Sequence, residues 1–199
     1  MKEGKPEYAQ AELFIVSMLE EELSPALLYH NMDHTLDVLD AAMKISAAEK
    51  VPEEEVRLLR IAVLFHDAGF IYVYKHHEET GCEMAREYLP RFGFSNAQIV
   101  QVCEMIMSTK IPQKPKSLLD QIIADADLDY LGRKDVYMIA AKLHEEMRLH
   151  HEMHAVGQWI PFQIKFLKQH QYFTAYSRNL REPYKNHYLQ QLIDQLNTQ

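Results

Sequence analysis

The chain has 199 residues, 47% hydrophobic and 25% charged, enough for one domain with a substantial core. With 21 Lys+Arg against 29 Asp+Glu its formal charge is −8, which excludes the broad basic face of a duplex-binding protein and the polybasic signature of an anionic-membrane binder. No run approaches the ~18 apolar residues of a membrane span, the start Met1–Glu7 is polar without a signal-peptide apolar region, and Cys82 and Cys103 form neither a CxxC pair nor a disulfide framework. A cytoplasmic chain with reduced, buried thiols is expected. Its partner would be a small molecule rather than a nucleic acid polymer or a membrane.

Apolar spacing predicts helices nearly throughout. The first carries Leu13, Phe14, Val16 and Met18, and Ser24-Pro25 ends that stretch or starts the next. Asp33 reads as an N-cap before the amphipathic run Leu36, Val38, Leu39, Ala42, Met43, Ile45. Pro52 and Glu53-Glu54-Glu55 form a first turn suited to the positive end of the helix dipole. That helix runs through Val56, Leu59, Ile61, Ala62, Leu64 and Phe65 to His66-Asp67, with Gly69 as its breaker. Phe70–Tyr74 alone has strand composition, and its shortness makes it a loop or extended segment. Further helices are expected over Glu78–Leu89, Ala97–Met107 (capped by Ser95), Ser117–Leu131, Asp135–His151, Trp159–Gln171, and from Pro183 to Leu196. Gly is scarce, with six in the chain, which disfavours a turn-rich β fold. The expectation is one all-α domain of eight or nine helices, its motif-bearing part at about 28–135 and residues 136–199 packed on it.

Eleven histidines invite a search for a site. His30 and His34 are four apart and would share a face if that stretch were helical. His66-Asp67 ends a strongly apolar helix. A buried carboxylate needs a partner because its desolvation is costly, and a divalent ion is one such partner. Ile122-Ile123-Ala124-Asp125-Ala126-Asp127-Leu128-Asp129 then places three carboxylates within five residues after an apolar lead. Two imidazoles and two carboxylates suit Mn, Fe, Co, Ni, Zn or Mg and leave coordination positions open. Asp125 and Asp127 lie two apart, on different sides of a helix, so one of them reaches the ion.

The order His34, His66-Asp67, Asp resembles the HD-domain metal-dependent phosphohydrolase superfamily. Tyr29-His30-Asn31-xx-His34 is also similar to the first motif of the cyclic-nucleotide phosphodiesterases within it. The resemblance implies a helical bundle in which His34, His66, Asp67 and either Asp127 or Asp125 hold a divalent metal. Asp127 is favoured because Ile122, Ile123 and Ala126 precede it as in related motifs. His30 matches a general acid that protonates the leaving oxygen; the bland alternative is a hydrogen bond to nearby backbone. The implied activity is hydrolysis of a small phosphomonoester or phosphodiester, a nucleotide among the candidates, by activated water that Asp67 or a nearby carboxylate orients. Arg133 and Lys110 are candidate phosphate binders. A non-catalytic, metal-stabilised signalling or scaffold domain is the rival reading, and a lyase or oxygenase a third.

Two-metal members of the superfamily use further histidines, and only His76 and His77 offer them here, so one ion is expected. Glu78 and Glu79 read as a solvated helix N-terminus, with orientation of water as the functional alternative. His144–His154 reads as a polar helix face, since His150 is followed by His151 and not by Glu as in a zinc-protease motif. The aromatic residues Trp159, Phe162, Phe166, Tyr172, Phe173 and Tyr176 read as packing for the C-terminal third.

Overall fold

The computed structural model describes residues 6–152 and 157–198. Among them the regular structure is helical and no strand occurs. The α-helices are α1 (Tyr8–Glu22), α2 (Met32–Ala48), α3 (Glu53–Phe65), α4 (His77–Tyr88), α5 (Asn96–Thr109), α6 (Leu118–Asp127), α7 (Val136–Leu149), α8 (Trp159–Gln169), α9 (Ala175–Leu180) and α10 (Glu182–Asn197). Short 3₁₀ turns occupy Ala68–Ile71, Leu89–Phe92 and Asp129–Gly132. No helix of the described residues is long and apolar enough to cross a membrane.

Two apolar clusters organise the chain. The first takes Ile15 and Leu19 of α1, Val38 and Ile45 of α2, Ile106 of α5 and Ile122 of α6, with α3 at its centre. Every α3 residue from Leu58 to Phe65 except Arg60 is buried, so α3 is apolar on nearly all sides. Its end, His66-Asp67, is therefore delivered to the interior and not to solvent. The second cluster joins Tyr29, Leu128, Tyr130 and Leu131 to Ile164 and Leu167 of α8 and Tyr188 and Leu192 of α10. The candidate site lies where the two clusters meet.

Local signals explain most helix ends. Ser95 caps α5 in a reciprocal capping box with Gln98, and Ser117 does the same for α6 with Asp120. Asp33 is not the N-cap of α2. Asn31 takes that place, accepting from the His34 N–H at 3.2 Å while its amide donates to the Leu28 carbonyl at 3.0 Å. Asp33 sits instead in the first turn, where its charge suits the dipole. Nor does Gly69 end α3, which stops at Phe65; Gly69 lies inside the 3₁₀ turn that also takes Phe70 and Ile71. The helix expected to reach Leu131 stops at Asp127, and the freed Leu128 carbonyl accepts from the Tyr172 hydroxyl at 3.0 Å.

His170 follows α8 inside the C-terminal packing, where Lys185 Nζ donates to its carbonyl at 2.8 Å. Burial, reinforced by the charge of Lys185, pushes the imidazole down from 6.5 to about 3. The unfolded chain thus takes up a proton near pH 6.5 that the folded chain refuses, so this contribution to stability is complete above 6.5 and declines as pH falls toward 3. Urea titrations are expected to show wild type losing about 1.5 kcal/mol more between pH 6.5 and pH 5 than His170→Gln does. Parallel curves for the two proteins would refute this origin.

Candidate metal and catalytic site

Three helix ends converge on the site. His34 comes from the first turn of α2, His66 and Asp67 from the end of α3, and Asp127 from the last residue of α6. His34 Nε2 lies 3.4 Å from Asp67 Oδ2 and 3.3 Å from Asp127 Oδ1. His66 Nε2 lies 3.2 Å from Asp67 Oδ2 and 3.7 Å from Asp127 Oδ1. His34, His66 and Asp127 offer one ligand atom each within 4.8 Å of one another. His34 Nε2, His66 Nε2 and Asp67 Oδ2 are buried and lack any hydrogen-bond partner. Buried polar atoms are ordinarily paired, so these need something between them.

The donor set fits a divalent metal. His66 Nδ1 is 2.7 Å from the Val63 carbonyl, which assigns the proton to Nδ1 and turns the Nε2 lone pair toward the carboxylates. A ring held this way by backbone is the usual support of a metal-binding histidine. Burial pushes both imidazoles down, but Asp67 and Asp127 outweigh it and draw His34 up and His66 well above the ordinary histidine range. Burial likewise opposes ionisation of Asp127, yet His34 and His66 hold it at about 2, and Asp67 is also held well below the carboxylate range. The four groups together demand a positive charge at their centre, which a cation supplies better than shared protons.

The three carboxylates after Ile123 have separate tasks. Asp127 faces the histidines. Asp125 points the other way and accepts from the backbone N–H groups of Phe173 and Thr174, both at 2.8 Å, and from the Thr174 hydroxyl at 2.7 Å. It ties the C-terminal third to α6 and does not reach the cluster. Asp129 pairs with Arg181 at 2.7 Å and Arg133 at 3.6 Å.

His30 lies outside α2, before its cap, so it does not share a helix face with His34; their ring centroids are 6.0 Å apart and nearly perpendicular. Its Nδ1 bonds directly to Glu146 Oε1. Glu146 is fully buried on α7. It also accepts from the Tyr29 N–H at 2.7 Å, the His30 N–H at 3.0 Å and the Tyr74 hydroxyl at 3.2 Å. Burial raises its pKa, but His30 and the two backbone donors outweigh it and keep Glu146 below its ordinary value. The polar-face reading of this stretch therefore fails at Glu146, though it suits Glu145 and Arg148, which pair with each other in solvent. His150 stacks on Tyr74 at 4.0 Å, and His154 lies outside the described residues.

Glu78 is buried and lines the site cavity, so it is not a solvated helix start. Glu79 instead pairs with Lys110. His77 stacks on Phe70 at 3.9 Å and places Nε2 3.5 Å from Asp67 Oδ1 and 3.6 Å from Glu78 Oε1. His76 is exposed. The two candidate phosphate binders are committed elsewhere. Lys110 is held by Glu79, and Arg133 by Asp37 at 2.7 Å and Asp135 at 2.8 Å as well as by Asp129. Neither lines the cavity that His30, Asp67 and His77 border; Arg133 lines a separate one with His34 and Asp37.

The family model for the HD domain matches residues 31–129, the span from Asn31 through Asp129 that holds all four converging residues. The chain belongs to the HD superfamily. A crystal structure at 1.45 Å described as a predicted HD superfamily hydrolase from an uncultured Thermotogales bacterium is similar in fold, with a TM-score of 0.61 and 21% identity over 97% of this chain and 92% of that one. Among curated proteins none matches. His30 and its partner Glu146 both fall outside the matched HD span, His30 by a single residue. A legible signal for Glu146 was its place on the apolar stripe of its helix, at 139, 143, 146.

Opposite effects are expected for two neighbouring aspartates of this HD protein. Asp125→Ala should cost about 2–4 kcal/mol of stability, because buried donors lose a charged acceptor, and leave metal content unchanged. Asp127→Asn should weaken metal binding by more than the roughly 10–100-fold that an outer-shell loss costs. Urea unfolding and plasma mass spectrometry of the purified proteins separate the two; a metal-free Asp125→Ala protein beside a metal-replete Asp127→Asn protein would reverse the assignment.

Gly69 fixes the approach of the 3₁₀ turn to α4. A Cβ there would lie 2.0 Å from the His77 carbonyl oxygen, a backbone atom that cannot yield locally. Gly69→Ala is therefore expected to cost about 3 kcal/mol or more, read as a lowered urea midpoint. An unchanged midpoint would show that the two segments separate freely.

Proposed function

We propose that this HD protein is a metal-dependent phosphohydrolase acting on a small phosphomonoester or phosphodiester, nucleotides included among the candidates. The observation that carries the proposal is the group of unpartnered buried atoms on His34, His66 and Asp67, with Asp67 bordering the same cavity as His30, which Glu146 holds. His34, His66, Asp67 and Asp127 would hold a divalent cation. When bound, such an ion supplies Lewis acidity toward a phosphoryl oxygen and a nucleophilic water near neutral pH.

The chain's own residues account for the remaining tasks. Water provides the oxygen that bonds to phosphorus, the ester P–O bond breaks, and a proton must reach the departing alkoxide. With Nδ1 taken by Glu146, His30 has Nε2 free to donate that proton. Glu146 fixes the tautomer and stabilises the imidazolium, as a buried carboxylate does behind a catalytic histidine. Asp67 Oδ1, facing His77, is placed to orient the attacking water. The cavity supports catalysis over a purely structural ion, because Asp67, Asp127, His30 and His77 all border it.

Phosphate release from nucleotides and sugar phosphates with added Mn, Co, Ni or Mg tests this. Metal-dependent turnover is expected in wild type and its loss in Asp67→Ala. His30→Gln should lower kcat by about 10²–10⁴ with metal content unchanged, and Glu146→Gln should lower it in part. A tightly held ion that only raises the melting temperature, with no turnover on any ester, would transfer the site to the structural or signalling reading.

A further inference from the structure

The cavity beside the metal cluster has two ends of unlike chemistry. One end is bordered by His30, Asp67, His77, Glu78 and Asp127. The other is built by the C-terminal helices, from Ala140, Leu143 and Met147 of α7, Trp159 and Phe166 of α8, and Leu131 before them. No Lys or Arg of the described residues lines it. Two of the polar groups at the apolar end engage each other, the Gln163 amide donating to the Tyr188 hydroxyl at 2.6 Å. The volume is about 170 Å³. An apolar cavity of about 150 Å³ is enough for benzene, and part of this volume belongs to the polar end, so the apolar end takes at most a single ring or a hydrocarbon group of similar bulk.

We infer that the apolar end binds the alcohol side of the substrate, and that this side is an uncharged, apolar group of one-ring size attached to a single phosphoryl group. The inference rests on the phosphohydrolase reading and narrows it. A sugar hydroxyl lodged against Leu131, Leu143 and Met147 would give up its hydrogen bonds to water without replacement there, a penalty of about 10–10²-fold in kcat/KM. A second or third phosphate in this cavity would meet no Lys or Arg on its lining, and Lys110 and Arg133 are already paired with carboxylates. The chain's net charge of −8 adds general repulsion. A phosphate monoester of a phenol or a cyclic alcohol satisfies both ends at once.

The test compares phenyl phosphate and cyclohexyl phosphate with glycerol phosphate, ribose 5-phosphate and nucleoside mono- and triphosphates, in the presence of Mn. In parallel, the melting temperature is read with phenol and with cyclohexanol, probes that need neither metal nor phosphate. Ala140→Leu fills the apolar end, and Leu143→Phe serves if the first variant does not fold. Wild type is expected to favour the ring esters by about tenfold or more in kcat/KM. A free ring alcohol is expected to raise the melting temperature by about 2 °C at a few times its Kd. Both effects should vanish in the filled variant. Equal kcat/KM for glycerol phosphate and phenyl phosphate overturns the inference and leaves the hydrolase reading intact. Absence of a thermal shift in wild type with both alcohols overturns it as well. Thermal shifts that the filled variant abolishes, with no ester hydrolysed, uphold the apolar preference of the cavity and defeat the hydrolase reading instead.

Discussion

Two imidazoles and two carboxylates are brought together in the interior, and three of their facing atoms have no hydrogen-bond partner. That arrangement is costly unless a cation lies among them, because buried charge must be paired. The surrounding architecture tolerates the cost by making the cluster hard to open. α3 is enclosed by apolar neighbours up to Phe65, and Ile122 and Ile123 bury the approach to Asp127. A site assembled from helix ends on well-packed helices holds its ligands at fixed separation, which is what a metal centre requires.

The same packing explains why each ligand has its own anchor. His34 lies one turn after the Asn31 cap, so the cap that starts α2 also sets the histidine's position. His66 is fixed through Nδ1 by the Val63 carbonyl in the last turn of its own helix. Asp127 is flanked by two carboxylates that point elsewhere, Asp125 to the Phe173–Thr174 turn and Asp129 to Arg181. The acidic run is thus three separate connections, of which one belongs to the metal cluster.

The all-α class, the capping at Ser95, and the identities of the converging residues were legible in the sequence because each rests on local chemistry or on an ordered motif. The α2 cap apart, the features that were not legible depended mostly on contacts across long stretches of chain. Asp33 and Asn31 are both good caps, and only the amide's second bond, to the Leu28 carbonyl, decides between them. The choice between Asp125 and Asp127 turned on Thr174, 49 residues away from Asp125. Lys110 and Arg133 looked available for phosphate until Glu79 and Asp37 were seen to hold them. Phe70 has strand composition but enters a 3₁₀ turn, because its ring is needed between His30 and His77, at 4.3 and 3.9 Å from them.

The residues beyond the HD motifs carry the most consequence for chemistry. Glu146 reaches His30 from 116 positions away and bonds two backbone N–H groups of the motif segment as well. α7, α8 and Leu131 provide the apolar wall of the cavity. The motif-bearing helices therefore supply the converging histidines and aspartates, while the C-terminal helices supply the carboxylate that holds His30 and the apolar wall of the cavity. If reaction type comes from the first set and substrate choice from the second, then relatives that keep the motifs but change α7 and α8 would share a mechanism without sharing a substrate, which is how one scaffold serves several chemistries.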